Sequence, residues 1–163
     1  MELQEIFKMQ KGLDQHIEKK HGLEQSDLFD QKVLALLVEI GELANETRSF
    51  KFWSLKSPSP QEVILEEFVD GIHFMVSLGL NCGFEKIEVI SSRHSKECTM
   101  TEQFLTVYES VQHFRKKRTV EAYKKMFEDY LFLASLLGFK DEDIKEAYIK
   151  KNEVNYKRQQ DGY

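Results

Sequence analysis

Val38-Glu39-Ile40-Gly41-Glu42-Leu43-Ala44-Asn45-Glu46 sets three carboxylates inside one of the most apolar segments of the chain, Val33 to Ala44. An ionised carboxylate is costly to leave unpaired in a core, so these acids must be exposed, paired or bound to a cation. At about 100° per residue, Val33, Leu36, Leu37, Ile40, Leu43 and Ala44 form one face of a helix. Glu39, Glu42 and Glu46 run along its border. Ser26 or Asp27 can cap this helix, which continues to about Arg48. Glu39 and Glu42 project to the same side, where like charges one turn apart repel by a few tenths of a kcal/mol. No Lys or Arg lies one turn away before Arg48, so a cation is a reasonable guest.

A second stretch, Glu66-Glu67-Phe68-Val69-Asp70-Gly71-Ile72-His73-Phe74, repeats the arrangement. It belongs to a helix from Gln61 or Glu62 to Leu80 that is apolar over most of its circumference and is therefore buried between neighbours. Glu67 and Asp70 share one side of it, with Phe74 and Ser77 below them. Acids on a central helix need partners, and the nearest candidates are a metal and the stripe on the preceding helix. Four carboxylates with no Cys or His on the same stripes indicate a hard cation, Mg²⁺ or Mn²⁺. A di-iron bundle is the closest competitor, through Glu18/His21 and, approximately, Asp70/His73. It is set aside because Glu18 sits in an exposed Glu-Lys-Lys run and no second Glu-x-x-His follows.

Outward from this centre, helical patterns fill the chain. Leu3, Ile6, Phe7, Leu13 and Ile17 define a first amphipathic helix ending at His21-Gly22. Gln10 and Asp14 lie one turn apart near the edge of its apolar stripe, which on spacing alone reads as a solvated face. Ser49 to Pro60 is the chief loop, and its Phe50, Lys51, Phe52 and Trp53 form either a pocket wall or an anchor to the core. Glu85 to Thr101 is mixed and polar, with room for a short helix and a loop. A fourth helix spans about Glu102 to Arg115 with Phe104, Leu105, Tyr108, Val111 and Phe114 inward. Thr119 caps a fifth helix to Leu137, and Asp141 starts a sixth. The basic turn Arg115-Lys116-Lys117-Arg118 reads as a solvated junction. On the last helix Lys151, Asn155 and Arg158 fall on one face, a ladder of donors suited to successive phosphates.

The expected architecture is all-α, one domain over 1–163, a helical bundle of about six helices. Only two prolines and eight glycines among 163 residues leave too little punctuation for an all-β chain. A net charge of −5 argues against nonspecific nucleic-acid binding. Cys82 and Cys98 lack metal-type spacing and are expected as free thiols in a reducing cytoplasm. The first ten residues carry acids and no basic start before an apolar block, so no signal peptide is expected. No apolar run approaches the roughly 20 residues of a membrane span, so a soluble, cytoplasmic protein is expected.

The chain resembles the dimeric all-α dUTP diphosphatases, within the wider all-α nucleoside-triphosphate pyrophosphatase superfamily. Gln10 with Leu13-Asp14, Glu39 to Glu46, Phe50 to Ser54, Glu66 to Phe74 and Lys151 to Tyr163 carry the resemblance, in the family's order. The terminal K-N-x-x-N-x-x-R-Q-x-x-G-Y is much more specific to dUTP hydrolysis than the acidic pairs.

The resemblance implies that Glu39, Glu42, Glu67 and Asp70 coordinate Mg²⁺ bridging the phosphates; in the metal-assisted hydrolysis expected from this set, Glu42, beside Glu39, is the acid expected to orient or deprotonate the attacking water. It implies that Gln10 and Asp14 read the uracil edge, and that Trp53, His73 and Phe74 line the base and sugar pocket. Lys151, Asn155, Arg158 and Tyr163 would hold the phosphate chain. Asp14 stands where relatives can have Asn, which changes the uracil group it can bind. A homodimer converting dUTP, and dUDP, to dUMP is implied. The alternatives are a pyrophosphatase for another nucleotide such as dCTP, which would lack the Gln10 and Lys151-to-Tyr163 readers, and a non-enzymatic helical module, which would lose ligand acids.

Overall fold

The computed structural model describes residues 1–91 and 97–162. Its six helices are α1 (Gln4–His21), α2 (Phe29–Thr47), α3 (Gln61–Asn81), α4 (Met100–Lys117), α5 (Val120–Leu137) and α6 (Asp141–Gln160). The all-α class expected from the sequence is what the chain adopts. The one strand-like feature among the described residues is an isolated antiparallel bridge between Glu2 and Val89. The described part of the segment after α3 pairs with the N-terminus and holds no helix before α4; residues 92–96 lie outside the described ones.

α3 is the hub, packing against α1, α2, α5 and α6, while α4 bridges α2 and α5. Ile64, Phe68, Val69, Ile72, Met75, Val76 and Leu78 of α3 are all buried, as a helix apolar nearly all round requires. Two tyrosines of α5 set its position. Tyr130 donates to the Phe68 carbonyl at 2.9 Å and Tyr123 to the Met75 carbonyl at 3.1 Å. Tyr130 reaches α3 because Gly71 has no side chain: a Cβ there would collide with the phenol oxygen and ring. The glycine inside Glu66-to-Phe74 is thus a packing notch that seats the acid-bearing helix.

Helix ends follow local chemistry. Gly22 and Gly138 close α1 and α5 in the left-handed conformation, at φ 66° and 82°. α4 starts earlier than its hydrophobic period indicates, because Thr99 and Glu102 form a reciprocal capping box. α2 begins at Phe29, whose N–H donates to the Asp27 carboxylate at 3.1 Å. Leu105, expected inward, is 59% exposed, and Val107 takes the core position. The basic turn is partly engaged: Arg115 forms a two-point pair with Asp30 at 3.0 Å, and Arg118 lies 3.8 Å from the Phe29 ring centroid.

Candidate active site

α2 contributes Glu39 and α3 contributes Glu67 and Asp70, and one carboxylate oxygen from each lies within 4.8 Å of the others. Glu42 is exposed and outside this trio, although its charge acts on both Glu39 and Glu67. Three of the four expected acids therefore converge, with the fourth beside them. Burial, reinforced by the charges of Asp70, Glu42 and Glu67, pushes the Glu39 carboxyl up to about 7. Burial and the charges of Asp70 and Glu42 also raise Glu67. Burial raises Asp70, opposed by a hydrogen bond from Lys151. Acids held above their ordinary range are short of positive charge.

The donor set fits a hard dication: oxygens only, from acids that resist ionising without compensation. Oxygens sharing one Mg²⁺ at about 2.0–2.1 Å sit roughly 3–4 Å apart, so small side-chain rotations close the trio. Glu18 and His21, the di-iron candidates, do not join the acid trio: Glu18 lines the same cavity paired with Lys32 at 3.3 Å, and His21 lies 3.1 Å from Gln159.

Lys151 differs most from expectation. It is buried, and its Nζ lies 2.7 Å from both Glu66 and Asp70. Burial alone would lower its pKa, but the two carboxylates outweigh that and raise it. Its ammonium thus faces the acid cluster. Asn155 and Arg158, one and two turns further along α6, line a cavity of about 380 Å³ that also receives Glu39 and Asp70. That volume lies within the range of small-molecule sites.

The rest of the cavity wall includes Gln10, Asp14, His73, Phe74 and Ser77, with Lys32 and Glu18 beside apolar side chains of α1. Gln10 is only 4% exposed, so the solvated-face reading of α1 fails here. α3 and α6 close over it: His73 Nδ1 is 2.8 Å and the Tyr148 hydroxyl 2.6 Å from Gln10 Oε1. Gln10 Nε2 donates to Asp14 Oδ1 at 2.7 Å, and Asp14 Oδ2 accepts from Ser77 and lies 3.5 Å from Lys32. Burial, with a smaller effect of the Lys151 charge, holds His73 down at about 3.

Trp53 does not line this cavity. It is 65% exposed on the α2–α3 loop and meets Phe50 and Phe52 edge-on. Tyr163 lies outside the described residues. Lys32, Glu66 and Tyr148 were not singled out from the sequence. Lys32 opens α2 beside an unremarkable acid, Glu66 precedes the recognised pair, and Tyr148 meets Gln10 across 138 positions, so no local pattern marks them.

Glu39 and His73 leave opposite marks on stability. Glu39 keeps its proton to higher pH when folded than its ordinary 4.5, so between about 4.5 and 7 the folded chain binds more protons and Glu39 destabilises it progressively. His73 stays neutral when folded, so its effect is a loss of stability as pH falls below its ordinary 6.5. The two oppose each other, and Glu39→Gln separates them. In EDTA, urea denaturation is expected to show this variant gaining on the native chain as pH rises from about 4.5 to 7, with no gain at the acid end. A gain that shrinks with rising pH would contradict the shift.

A helical bundle with converging acids at one end of a cavity, and a buried amide–imidazole network along its wall, sets carboxylate oxygens beside a polar pocket of small-molecule size. A sequence profile of the dUTPase family matches residues 2–163, and the chain belongs to that family. It is accordingly a hydrolase of nucleotide metabolism, a dUTPase-type nucleotide pyrophosphatase. No curated protein matches the sequence. No helix among the described residues is long and apolar enough to cross a membrane.

Proposed function

We propose that the chain hydrolyses dUTP to dUMP and pyrophosphate, and dUDP to dUMP and inorganic phosphate, with Mg²⁺ held by Glu39, Glu67 and Asp70. The observation that carries this reading is the convergence of these acids at a cavity whose wall presents Gln10, Asp14, His73 and Phe74. Bound there, Mg²⁺ or Mn²⁺ supplies neutralisation of the phosphate charge and acidification of the attacking water. Asn155 and Arg158 on the cavity wall, with the buried Lys151 beside Asp70, hold the phosphate chain. Glu42, exposed one turn from Glu39, orients the water and accepts its proton. Gln10 and Asp14 read the base, and Phe74 packs against the sugar.

The test is pyrophosphate release from dUTP, dCTP, dTTP and UTP, with Mg²⁺ and with EDTA. Release from dUTP alone, abolished by EDTA, is expected. Preference for dCTP, or turnover in EDTA, overturns the reading.

We assign the working form as a homodimer. Leu34 and Val38 of α2 are 63% and 49% exposed, and Leu105 on the neighbouring α4 is 59% exposed. Exposed apolar side chains on two helices that pack together favour coverage by a partner. Light scattering that gives the monomer mass at micromolar concentration contradicts this.

A further inference from the structure

Every hydrogen bond around Gln10 has its direction forced by its neighbour. The Asp14 carboxylate, beside Lys32, can only accept, so the Gln10 atom 2.7 Å away is the amide nitrogen. Gln10 Oε1 therefore faces Tyr148 and His73, and it too can only accept. The Tyr148 hydroxyl donates to it, and at 2.8 Å His73 Nδ1 must carry the ring proton. Burial keeps the imidazole neutral, so Nε2 holds a lone pair. Nε2 has no partner among the described residues, which an acceptor tolerates better than a donor would. Tyr148 also stacks on His73, ring centroids 4.1 Å apart and planes 17° from parallel, fixing both rings.

We infer that Tyr148 and His73 are positioning residues for base selection, a polarity clamp that locks Gln10 so its amide meets a ligand only as a donor. Both donors to Oε1 come from the protein, and one Nε2 hydrogen goes to Asp14, which leaves the second N–H as the amide's remaining capacity. Beside it, Asp14 offers only acceptors. A donor next to an acceptor complements a carbonyl next to an N–H, the imide edge of a uracil-type base. A cytosine-type base would set a bare ring nitrogen against the carboxylate. An unclamped glutamine could turn its amide over and serve either base, so the clamp supplies discrimination rather than affinity alone. The inference rests on the proposed reaction only for the identity of the base.

The experiment pairs Tyr148→Phe kinetics with ¹⁵N NMR of the His73 ring in the native chain. Phenylalanine keeps the stack and removes the donor. Expected are a KM for dUTP raised about tenfold, kcat within about twofold, and a dUTP/dCTP preference in kcat/KM reduced about tenfold or more. The native His73 ring is expected as the Nδ1–H tautomer. A lowered Tm with KM and preference unchanged makes Tyr148 merely structural and overturns the inference, as does an Nε2–H tautomer at His73. If Tyr148→Phe does not fold, the tautomer alone decides. A native chain inert toward dUTP sinks the proposed reaction and leaves the tautomer result to judge the clamp.

Discussion

Glu39→Gln is expected to lower kcat/KM for dUTP by about a thousandfold or more while making the metal-free protein more stable at neutral pH. The two effects have one cause. Glu39 sits half-buried among Asp70, Glu42 and Glu67, and in the absence of a cation its carboxyl is pushed up to about 7. A dication held there would convert that repulsion into attraction, so in the proposed reading the group that weakens the metal-free fold is also the one that would bind the metal. Glutamine has the same shape and no charge, so it relieves the empty fold and forfeits the ligand. A residue needed only for folding shows the opposite pairing, with stability and activity falling together. The test is steady-state kinetics with saturating Mg²⁺ beside urea denaturation in EDTA at about pH 7. Activity within about tenfold of native removes Glu39 from the metal site.

Lys151→Met is expected to tighten Mg²⁺ binding to the nucleotide-free protein while raising KM for dUTP by about ten- to a hundredfold. The ammonium lies 2.7 Å from Asp70 and 2.7 Å from Glu66, so it serves as the resident cation of the cluster. A dication held by Asp70 would displace Lys151 from that contact, leaving it paired with Glu66 and available to the phosphates. Removing it leaves more negative charge for Mg²⁺ and one donor fewer for the nucleotide. The metal-free variant also loses about 1–3 kcal/mol of stability, because hydrogen bonds to charged partners are lost. Calorimetric Mg²⁺ titration without nucleotide reads the sign. Weaker Mg²⁺ binding in the variant shows instead that Lys151 orders the acids for the metal.

Much of this was legible in the sequence. The apolar period of 3.6 residues and the start and stop residues between periods, such as Gly138 and Asp141 ahead of α6, located the helices, and the acids of α2 and α3 stood out against that pattern. Spacing could place Glu39, Glu67 and Asp70 on helix faces, and the burial of α3 made their convergence the economical solution. What stayed hidden came from contacts between distant segments. Gln10 looks solvated on α1 because its partners His73 and Tyr148 lie 63 and 138 positions away. Of the donors expected in line on α6, Asn155 and Arg158 reach the cavity wall, while Lys151 turns inward because Glu66 and Asp70 draw the ammonium down. Leu105 departs from its helical period because α4 buries Val107 and leaves Leu105 on the exposed side, a choice that rests on the angle at which two helices pack. The Trp53 loop is held by Arg48 to Ser54 and by Ser59 to Glu46, bonds that no periodicity encodes.

Crystals soaked in Mn²⁺ with a non-hydrolysable dUTP analogue put the metal assignment to an immediate trial, because anomalous scattering locates the ion without reference to activity. The expected result is a Mn²⁺ peak bounded by carboxylate oxygens of Glu39, Glu67 and Asp70, lost in Glu39→Gln. Mn²⁺ bound elsewhere, with those three side chains turned to solvent while dUTP is still hydrolysed, would contradict it.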